Sequence, residues 1–319
     1  MGKWFKNVLT LIILAFLIWY LAGHWQQLKV LLKLSSKQLA VMYLLCFLLN
    51  SINARVVQQL VSAMNTETGY WDMVRLQNAA VLLNYVPMKF GTIFRANYLK
   101  RHYGLAYSRF ATSFLYITFL LTATAATVGL IILLTVYGLG GYSSKILATV
   151  FVTAIIGSLL FLFTPVPIPA GRGQLSSALR NFLTGRNQIS KSWKTICICV
   201  VLSTVNFILT GVRLSIVYHS MGKGIHPAGY LVLGALGFVT LFIALTPGSL
   251  GIRELVLGAG ATALGVPLQV GIFAAMIDRA IAISYAFVVG GSCAIRLWRA
   301  SPADFKEKQN DSSGPEDNL

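Results

Sequence analysis

Two related stretches decide the fold of this chain: NYVPMKFGTIFR at residues 84–95 and ALTPGSLGIRE at residues 244–254. Each holds a proline followed four residues later by a glycine, and the two motifs are separated by an offset of 160 residues. The members of the pattern are Pro87, Gly91, Pro247 and Gly251. A single such pair arises easily by chance, so the surrounding sequence must show whether the two stretches correspond.

Two further landmarks recur at nearly the same offset. Gly104 and Gly265 end the two regions at an offset of 161 residues, and each preceding apolar segment holds an arginine, Arg55 and Arg213, at an offset of 158. Three landmarks within three residues of one offset indicate an internal duplication. We place the first copy at about residues 1–143 and the second at about 144–300, inside one membrane domain of residues 1–303.

The composition excludes a soluble globule and predicts an all-α polytopic membrane protein. Hydrophobic residues make up 56% of the 319 residues and charged residues only 11%, whereas soluble domains carry about 25% charged residues. Mean hydropathy is +0.71. Six apolar segments are long enough, or nearly so, for the roughly 20 residues that cross a bilayer. They lie at 8–22, 38–64, 107–137, 146–163, 195–219 and 268–298.

Two regions between these segments, 70–103 and 228–265, are pairs of shorter apolar stretches interrupted by proline and glycine. A helix broken inside the bilayer leaves backbone groups that only protein or a wet cavity can satisfy. We therefore predict two re-entrant helical hairpins, and a proline kink in an ordinary span is the alternative. The predicted breaks are Pro87, Gly91, Pro247, Gly248 and Gly251.

Three full spans and one returning hairpin in each copy give an odd number of crossings, so the second copy is predicted to be inverted. The basic stretches 24–37 and 164–192 carry apolar residues at helical spacing, which fits helices in the membrane interface. Solvated loops explain these two stretches equally well. Residues 304–319 form a short acidic tail.

The net charge is +17, and the body before the acidic tail is more basic still, because five of the nine carboxylates lie in the tail. Basic cytoplasmic loops explain much of this excess and favour cytoplasmic N- and C-termini, although the basic stretch 24–37 fits that orientation poorly. An anionic lipid ligand explains the rest. Nucleic acid is not an expected partner, because the basic residues are scattered among apolar runs.

Several ionisable residues stand in apolar surroundings, where each charge costs at least about 2.5–3.5 kcal/mol without a partner or a task. The candidates are Arg55, Lys89, Arg95, Arg213, Arg253, Glu254, Asp278 and Arg279. Fixed ion pairs between helices are one interpretation. The other is that arginines hold a phosphate while Glu254 or Asp278 sets or couples the charge.

Nothing in the sequence supports catalysis. The four cysteines and four histidines have no metal-ligand spacing, and the sequence has no nucleophile elbow and no phosphate-binding loop. We expect no cofactor, no metal and no enzyme activity.

The motifs resemble one membrane family. Asn84, Pro87, Gly91 and Arg95 follow the pattern N-x-x-P-x-x-x-G-x-x-x-R, and the second stretch reads P-G-x-x-G-x-R-E. Together with the intramembrane Arg279, they resemble the transmembrane domain of lysylphosphatidylglycerol synthases and its stand-alone UPF0104 relatives, over about residues 5–300. Thr92 departs from the acid that often stands at that position in the family. The resemblance implies lipid handling or translocation without the aminoacyl-transfer chemistry.

We therefore expect a translocase (flippase) of the prokaryotic plasma membrane that moves an anionic phospholipid, glycolipid or polyprenyl-phosphate lipid between leaflets. The expected head-group ligands are Arg55, Asn84, Lys89, Arg95, Arg213, Arg253 and Arg279. A non-transporting partner of an envelope glycan or lipid synthase is the alternative, and a membrane-embedded lipid transferase is a weaker one.

Overall fold

The computed structural model describes residues 35–85, 90–164, 174–240 and 252–299. Several predicted features lie outside the described residues. They are the first span at 8–22, the hairpin residues Pro87, Lys89, Pro247, Gly248 and Gly251, and the acidic tail 304–319.

The described residues are helical and contain no strand. In chain order the helices are α1 (Ser36–Ser62), α2 (Tyr70–Leu83), α3 (Phe90–Tyr103), α4 (Tyr107–Ile132), α5 (Tyr142–Phe163), α6 (Gln174–Lys191), α7 (Trp193–Ser220), α8 (Pro227–Val239), α9 (Ile252–Ala263), α10 (Leu268–Tyr285) and α11 (Gly291–Arg299). Helices α4 and α10 each continue into one π-helical turn, Leu133–Tyr137 and Ala286–Gly290.

Five helical segments are long and apolar enough to cross a membrane, and they coincide with five of the six predicted spans. The shortest has 22 residues, which is about 33 Å at 1.5 Å per residue. The segments are Ser36–Ser62, Tyr107–Tyr137, Tyr142–Phe163, Trp193–Ser220 and Leu268–Leu297. The prediction of an all-α polytopic membrane protein is confirmed.

The two interrupted regions each form a pair of short helices. Helices α2 and α3 have 14 residues each, and α8 and α9 have 13 and 12. At 1.5 Å per residue these lengths are about 21 Å or less, too short for a hydrocarbon core of about 30 Å. Entry and return on one side of the membrane stays a prediction.

The order of helices recurs along the chain: the long helix, the pair of short helices and the long helix ending in a π-helical turn, α1 to α4, are repeated in the same order by α7 to α10. The backbone repeats in detail as well. The Thr66 amide donates to the Val61 carbonyl over 3.3 Å, and the Lys223 amide donates to the Tyr218 carbonyl over 3.1 Å, an offset of 157 residues. The residue before each donor has a positive φ, 59° and 66°.

Equivalent helices α1 and α7 run antiparallel. The Cys199 thiol lies 4.0 Å from the Val56 carbonyl, the Asn206 amide donates to the Leu49 carbonyl over 3.2 Å, and Arg213 reaches Cys46. Residue numbers therefore rise along α7 as they fall along α1. This arrangement supports the predicted inversion of the second copy, because equivalent helices of an inverted pair must point in opposite directions.

Two equivalent contacts also join the two copies; in each, a glycine of one copy packs against a short helix of the other, and we call them the exchanged glycine contacts. A Cβ added to Gly129 would lie 2.7 Å from the Ala235 methyl group, and one added to Gly290 would lie 2.7 Å from the Asn78 carbonyl oxygen. Gly290 follows Gly129 by 161 residues, and Ala235 follows Asn78 by 157. Each half thus presses its glycine against the equivalent short helix of the other half.

Two clusters of buried apolar side chains hold the helices together. The first contains Phe151, Phe207 and Tyr218 and joins α1, α4, α5, α7, α8, α9 and α10. The second contains Met64 and Tyr116 and joins α1, α2, α3, α4, α7, α11 and the C-terminal parts of α5 and α6. The charged cluster described below contacts the first of these.

The described part of the basic stretch 164–192 forms helix α6, so a solvated loop, one of the two predictions for this stretch, does not apply to Gln174–Lys191. Its N-terminal half is exposed at Leu179, but Leu183 and Ile189 are buried. The Thr112 hydroxyl donates to the Phe182 carbonyl over 3.0 Å. The C-terminal half of α6 is therefore part of the packed domain, and only the exposed first half fits an interface helix.

The exchanged glycine contacts generate a stability prediction. We expect Gly290→Ala to lower the free energy of unfolding by about 1–3 kcal/mol, because the new methyl group has no room against backbone. Gly157→Ala in α5 is the matched control, since nothing lies within 4 Å of its added Cβ. The unfolding midpoint of the detergent-purified protein measures both, and equal midpoints would contradict the contact.

Candidate functional site

A buried ion pair between α7 and α10 lies at the centre of the site. Arg213 Nη2 donates to Asp278 Oδ2 over 3.0 Å, and Arg213 Nε lies 2.7 Å from Oδ1. Only 10% of the Arg213 side chain and 3% of the Asp278 side chain are exposed. Two charges at this depth neutralise each other and also join two membrane-spanning helices.

A second ion pair joins α9 to α10. Arg279 Nη1 donates to Glu254 Oε1 over 2.7 Å, and both side chains are about nine-tenths buried. Adjacent residues on a helix point in different directions. Glu254 therefore turns toward Arg279 while its neighbour Arg253 turns toward Asp278.

Arg253 is the loosely held cation of the cluster. Its Nη2 lies 3.7 Å from Asp278 Oδ2, beyond hydrogen-bond distance, and 33% of its side chain is exposed. Three guanidinium groups thus share two carboxylates, Glu254 and Asp278, and the cluster carries one excess positive charge.

The two arginines Arg213 and Arg253 line a polar cavity of about 260 Å³. The cavity lies between α1, α7, α8, α9 and α10, with the end of α2 on one side. Its remaining lining residues are Cys46, Leu49, Asn50, Asn53, Val81, Tyr85, Asn206, Thr210, Gly234, Gly237, Phe238, Ala282 and Tyr285. The cavity is enclosed mainly by helices that the sequence predicts to span the membrane.

Amide side chains form one wall where α1 and α7 cross. Asn206 Nδ2 donates to the Leu49 carbonyl over 3.2 Å and to Asn53 Oδ1 over 3.1 Å. The Thr210 hydroxyl donates to the Asn206 carbonyl over 2.9 Å. These bonds hold the crossing together while leaving polar atoms at the cavity surface.

A further polar contact connects the cavity to the first half of the chain. The Tyr285 hydroxyl donates to Asn78 Oδ1 over 2.5 Å, and Asn78 Nδ2 donates to the Val74 carbonyl over 2.8 Å. Both side chains are buried. The cavity wall is therefore bonded to α2 as well as to α7 and α10.

The family model described as "Lysylphosphatidylglycerol synthase TM region" matches residues 7–290. The chain belongs to this family. A comparison with curated proteins found no match, and a comparison with solved structures found none either.

The structure brings together five of the residues that the family resemblance and the sequence indicated. Arg213, Arg253, Glu254, Asp278 and Arg279 form the charged cluster, and the first two line the cavity. Lys89 and the breaks Pro87, Pro247, Gly248 and Gly251 lie outside the described residues.

Arg95 lies apart from the cluster. Only 8% of it is exposed, its Nη1 donates to Gln77 Oε1 over 2.5 Å, and its guanidinium lies 5.7 Å from the Phe114 ring centre and 6.0 Å from that of Phe110. Among the described residues, no carboxylate pairs with Arg95. It is a buried cation held by an amide and two aromatic faces.

The pairing of Arg55 with Arg213 as repeat landmarks is wrong. The backbone repeats at an offset of 157 in this part of the chain, which aligns Arg213 with Val56 instead. One residue rotates a side chain by about 100° around a helix. Arg55 is accordingly exposed and donates to Gln58 Oε1 over 2.6 Å, away from the cavity.

Asn84 and Gly91 pack the first hairpin. A Cβ on Gly91 would lie 2.1 Å from the Ala80 carbonyl oxygen and 2.6 Å from Asn84 Oδ1. The glycine therefore permits the arms α2 and α3 to touch. Asn84 ends α2, where its backbone N–H donates to the Ala80 carbonyl over 2.9 Å. In the described residues both belong to the hairpin rather than to the cavity.

Sequence reasoning missed the polar residues of the wall. Asn53 and Thr210 are polar at equivalent positions, 157 residues apart, which is a signal that an alignment of the two copies at this offset would reveal. Arg186 was also missed as a buried residue. It is 3% exposed, donates to the Thr164 carbonyl and lies 5.5 Å from the Phe161 ring centre, but nothing in a basic stretch distinguishes it.

Among the described residues, no group of three His, Cys, Asp or Glu side chains converges as a metal site. Both carboxylates of the charged cluster are bound to arginines. The arrangement is suited to binding an anion through guanidinium, amide and hydroxyl groups.

The central ion pair generates a stability prediction. Asp278→Asn should lower the free energy of unfolding by about 3–5 kcal/mol, because it leaves the buried Arg213 without a full counter-charge. Asp72→Asn is the matched control: Asp72 pairs with Arg75 over 3.2 Å at the surface, where a pair contributes about 1 kcal/mol or less.

Unfolding midpoints of both variants measure the difference. A double variant, Asp278→Asn with Arg213→Gln, should lose less stability than the two single changes added together, because Arg213 is then no longer left charged beside a neutral partner. Simple additivity would show that the two side chains do not interact.

Proposed function

We propose that this protein is a lipid translocase that moves a lipid with an anionic head group between the two leaflets of its membrane. The observation that carries the proposal is the polar cavity lined by Arg213 and Arg253. It lies inside a helical membrane domain of a family named for a lipid-synthase membrane region.

A cavity of this composition addresses the main barrier to lipid exchange. A phosphate group cannot cross hydrocarbon unaided, because an unpaired charge there costs many kcal/mol. Guanidinium groups bind phosphate oxygens through charge-assisted hydrogen bonds with two matched donors. The Asn and Thr side chains of the wall add neutral polar groups for the remainder of the head group.

The two cavity arginines are suited to different tasks. Arg213 is held in place by Asp278 at 2.7 and 3.0 Å. Arg253 has no hydrogen bond to Asp278 and remains partly exposed. We assign Arg253 as the first contact of the phosphate and Arg213 as the fixed positive charge behind it.

The repeated architecture supports movement of the cavity rather than static binding. Inverted repeats place a substrate site near the midplane, and rocking of one half against the other opens that site to each side in turn. The cavity touches α1 and α2 of the first half and α7, α8, α9 and α10 of the second. A relative motion of the halves would therefore reshape it.

The proposal predicts that Arg253→Gln slows lipid exchange about 10-fold to 100-fold. The change removes a charged hydrogen bond worth about 1.5–3 kcal/mol, and each 1.4 kcal/mol is a factor of ten. Purified protein in liposomes with a fluorescent acyl-labelled anionic phospholipid measures the rate, read as loss of fluorescence to a membrane-impermeant quencher.

Arg75→Gln is the matched control for that experiment. Arg75 is an arginine of α2 whose side chain is 45% exposed and paired with Asp72 at the surface. Its loss should leave the exchange rate unchanged. Absence of exchange for every anionic lipid class with the unaltered protein would sink the proposal.

The proposal also places the protein in the prokaryotic plasma membrane with both termini cytoplasmic. A charged thiol reagent added outside whole cells should then label Tyr142→Cys and Lys223→Cys but not Lys191→Cys. All three positions are exposed at helix ends. The opposite labelling pattern would reverse the orientation without affecting the assignment of the cavity.

The proposed activity involves no bond-making chemistry, so the protein acts on its lipid without being an enzyme. An envelope-lipid or glycan synthase is the proposed supplier of that lipid. If a synthase copurifies while no leaflet exchange is measured, the role of a non-transporting partner replaces translocation.

A further inference from the structure

We infer that the cavity selects anionic head groups bearing neutral hydroxyl groups and rejects head groups that carry an ammonium group. This inference deepens the proposed function and rests on it. It concerns the identity of the lipid, which the family name does not supply for this chain.

The charge at the cavity wall is positive. Its lining contains two cations, Arg213 and Arg253, and none of its described lining residues is a carboxylate. Asp278 lies behind Arg213 with 3% of its side chain exposed, and Glu254 is bound to Arg279 with 10% exposed. A head group in the cavity therefore meets positive charge and no free acid.

No acid from elsewhere in the membrane domain can supply a negative charge to the cavity. Before the tail at 304–319, the sequence contains only four carboxylates: Glu67, Asp72, Glu254 and Asp278. Glu67 is exposed after α1, and Asp72 pairs with Arg75 and accepts a hydrogen bond from the Tyr103 hydroxyl over 3.2 Å. No further acid exists in the membrane domain to bind an ammonium group.

One wall of the cavity is polar but uncharged. Asn50, Asn53, Asn206 and Thr210 line the side of the cavity formed by α1 and α7. Carboxamide and hydroxyl groups both donate and accept hydrogen bonds, so they match the hydroxyl groups of a glycerol or sugar. An ammonium group offers donors only and would sit beside two guanidinium groups.

Phosphatidylglycerol and its lysyl ester test this selection with one acyl structure. The first has an anionic phosphate and a glycerol with free hydroxyls, and the second adds two ammonium groups to the same glycerol. Both lipid probes carry the same fluorescent acyl chain, and the liposomes contain the unaltered protein. We expect the lysyl ester to cross at least about tenfold more slowly, a factor equivalent to one close charge contact.

The substitution Arg253→Glu should shift the preference from phosphatidylglycerol toward its lysyl ester. It places a carboxylate at the cavity wall, so transport of the lysyl ester should rise relative to phosphatidylglycerol by about tenfold or more. Arg75→Glu, the same change at the surface of α2, should leave the ratio unchanged. A ratio that Arg253→Glu does not move would overturn the inference.

Native mass spectrometry of the purified protein with both lipids in equal amounts gives a second readout that does not depend on transport rate. Retention of phosphatidylglycerol over the lysyl ester is expected. Equal transport or equal retention of the two lipids overturns the selection while leaving the proposed function intact. If neither lipid crosses or is retained, the proposed function itself fails, and the selection falls with it.

Discussion

Charge neutralisation inside an apolar helical domain is the constraint on which the rest of this structure depends. Taking an ion out of water costs several kcal/mol even after relaxation, and a nearby opposite charge must repay it. Asp278 lies within 4 Å of two arginines on different helices, Arg213 and Arg253. The packing of α7, α9 and α10 therefore has to satisfy one carboxylate.

The duplication explains the shape of the site but not its chemistry. At offsets of 157, 160 and 161 residues, taken from the Thr66 and Lys223 backbone hydrogen bonds, the proline–glycine motifs and the Gly129 and Gly290 contacts, the first-half counterparts of Arg213, Arg253 and Asp278 are Val56, Ile93 and Ile117. The two halves share helix order, short-helix pairs and exchanged glycine contacts, while every described member of the charged cluster lies in the second half. A symmetric scaffold thus carries an asymmetric charged cluster, and Arg95 is the buried cation among the described residues of the first half.

Hydropathy, proline and glycine in the sequence predicted the long spans, the short-helix pairs and the residues of the charged cluster, because each of these departs from the local composition. Single-residue register was beyond such reasoning, as Arg55 shows: an offset wrong by one residue turns a side chain from the interior to the surface. The amide wall was missed because Asn53 and Asn206 acquire their role only when α1 and α7 cross. Arg186 looks like any basic loop residue until α6 packs its second half.

The weakest ion pair of the cluster, Arg253–Asp278, is the contact through which a ligand could act on the packing of the domain. In the proposed function, a bound phosphate would compete with Asp278 for Arg253, whose closest approach of 3.7 Å is the longest of the cluster. Occupation of the cavity would therefore weaken one link between α9 and α10 and leave the Arg279–Glu254 link intact. A ligand can shift a conformational equilibrium only through contacts that differ between states, and this exchange of partners at Arg253 is such a contact. The same excess positive charge that makes the cluster costly to bury is what would let a lipid phosphate, under the proposed function, change its pairing.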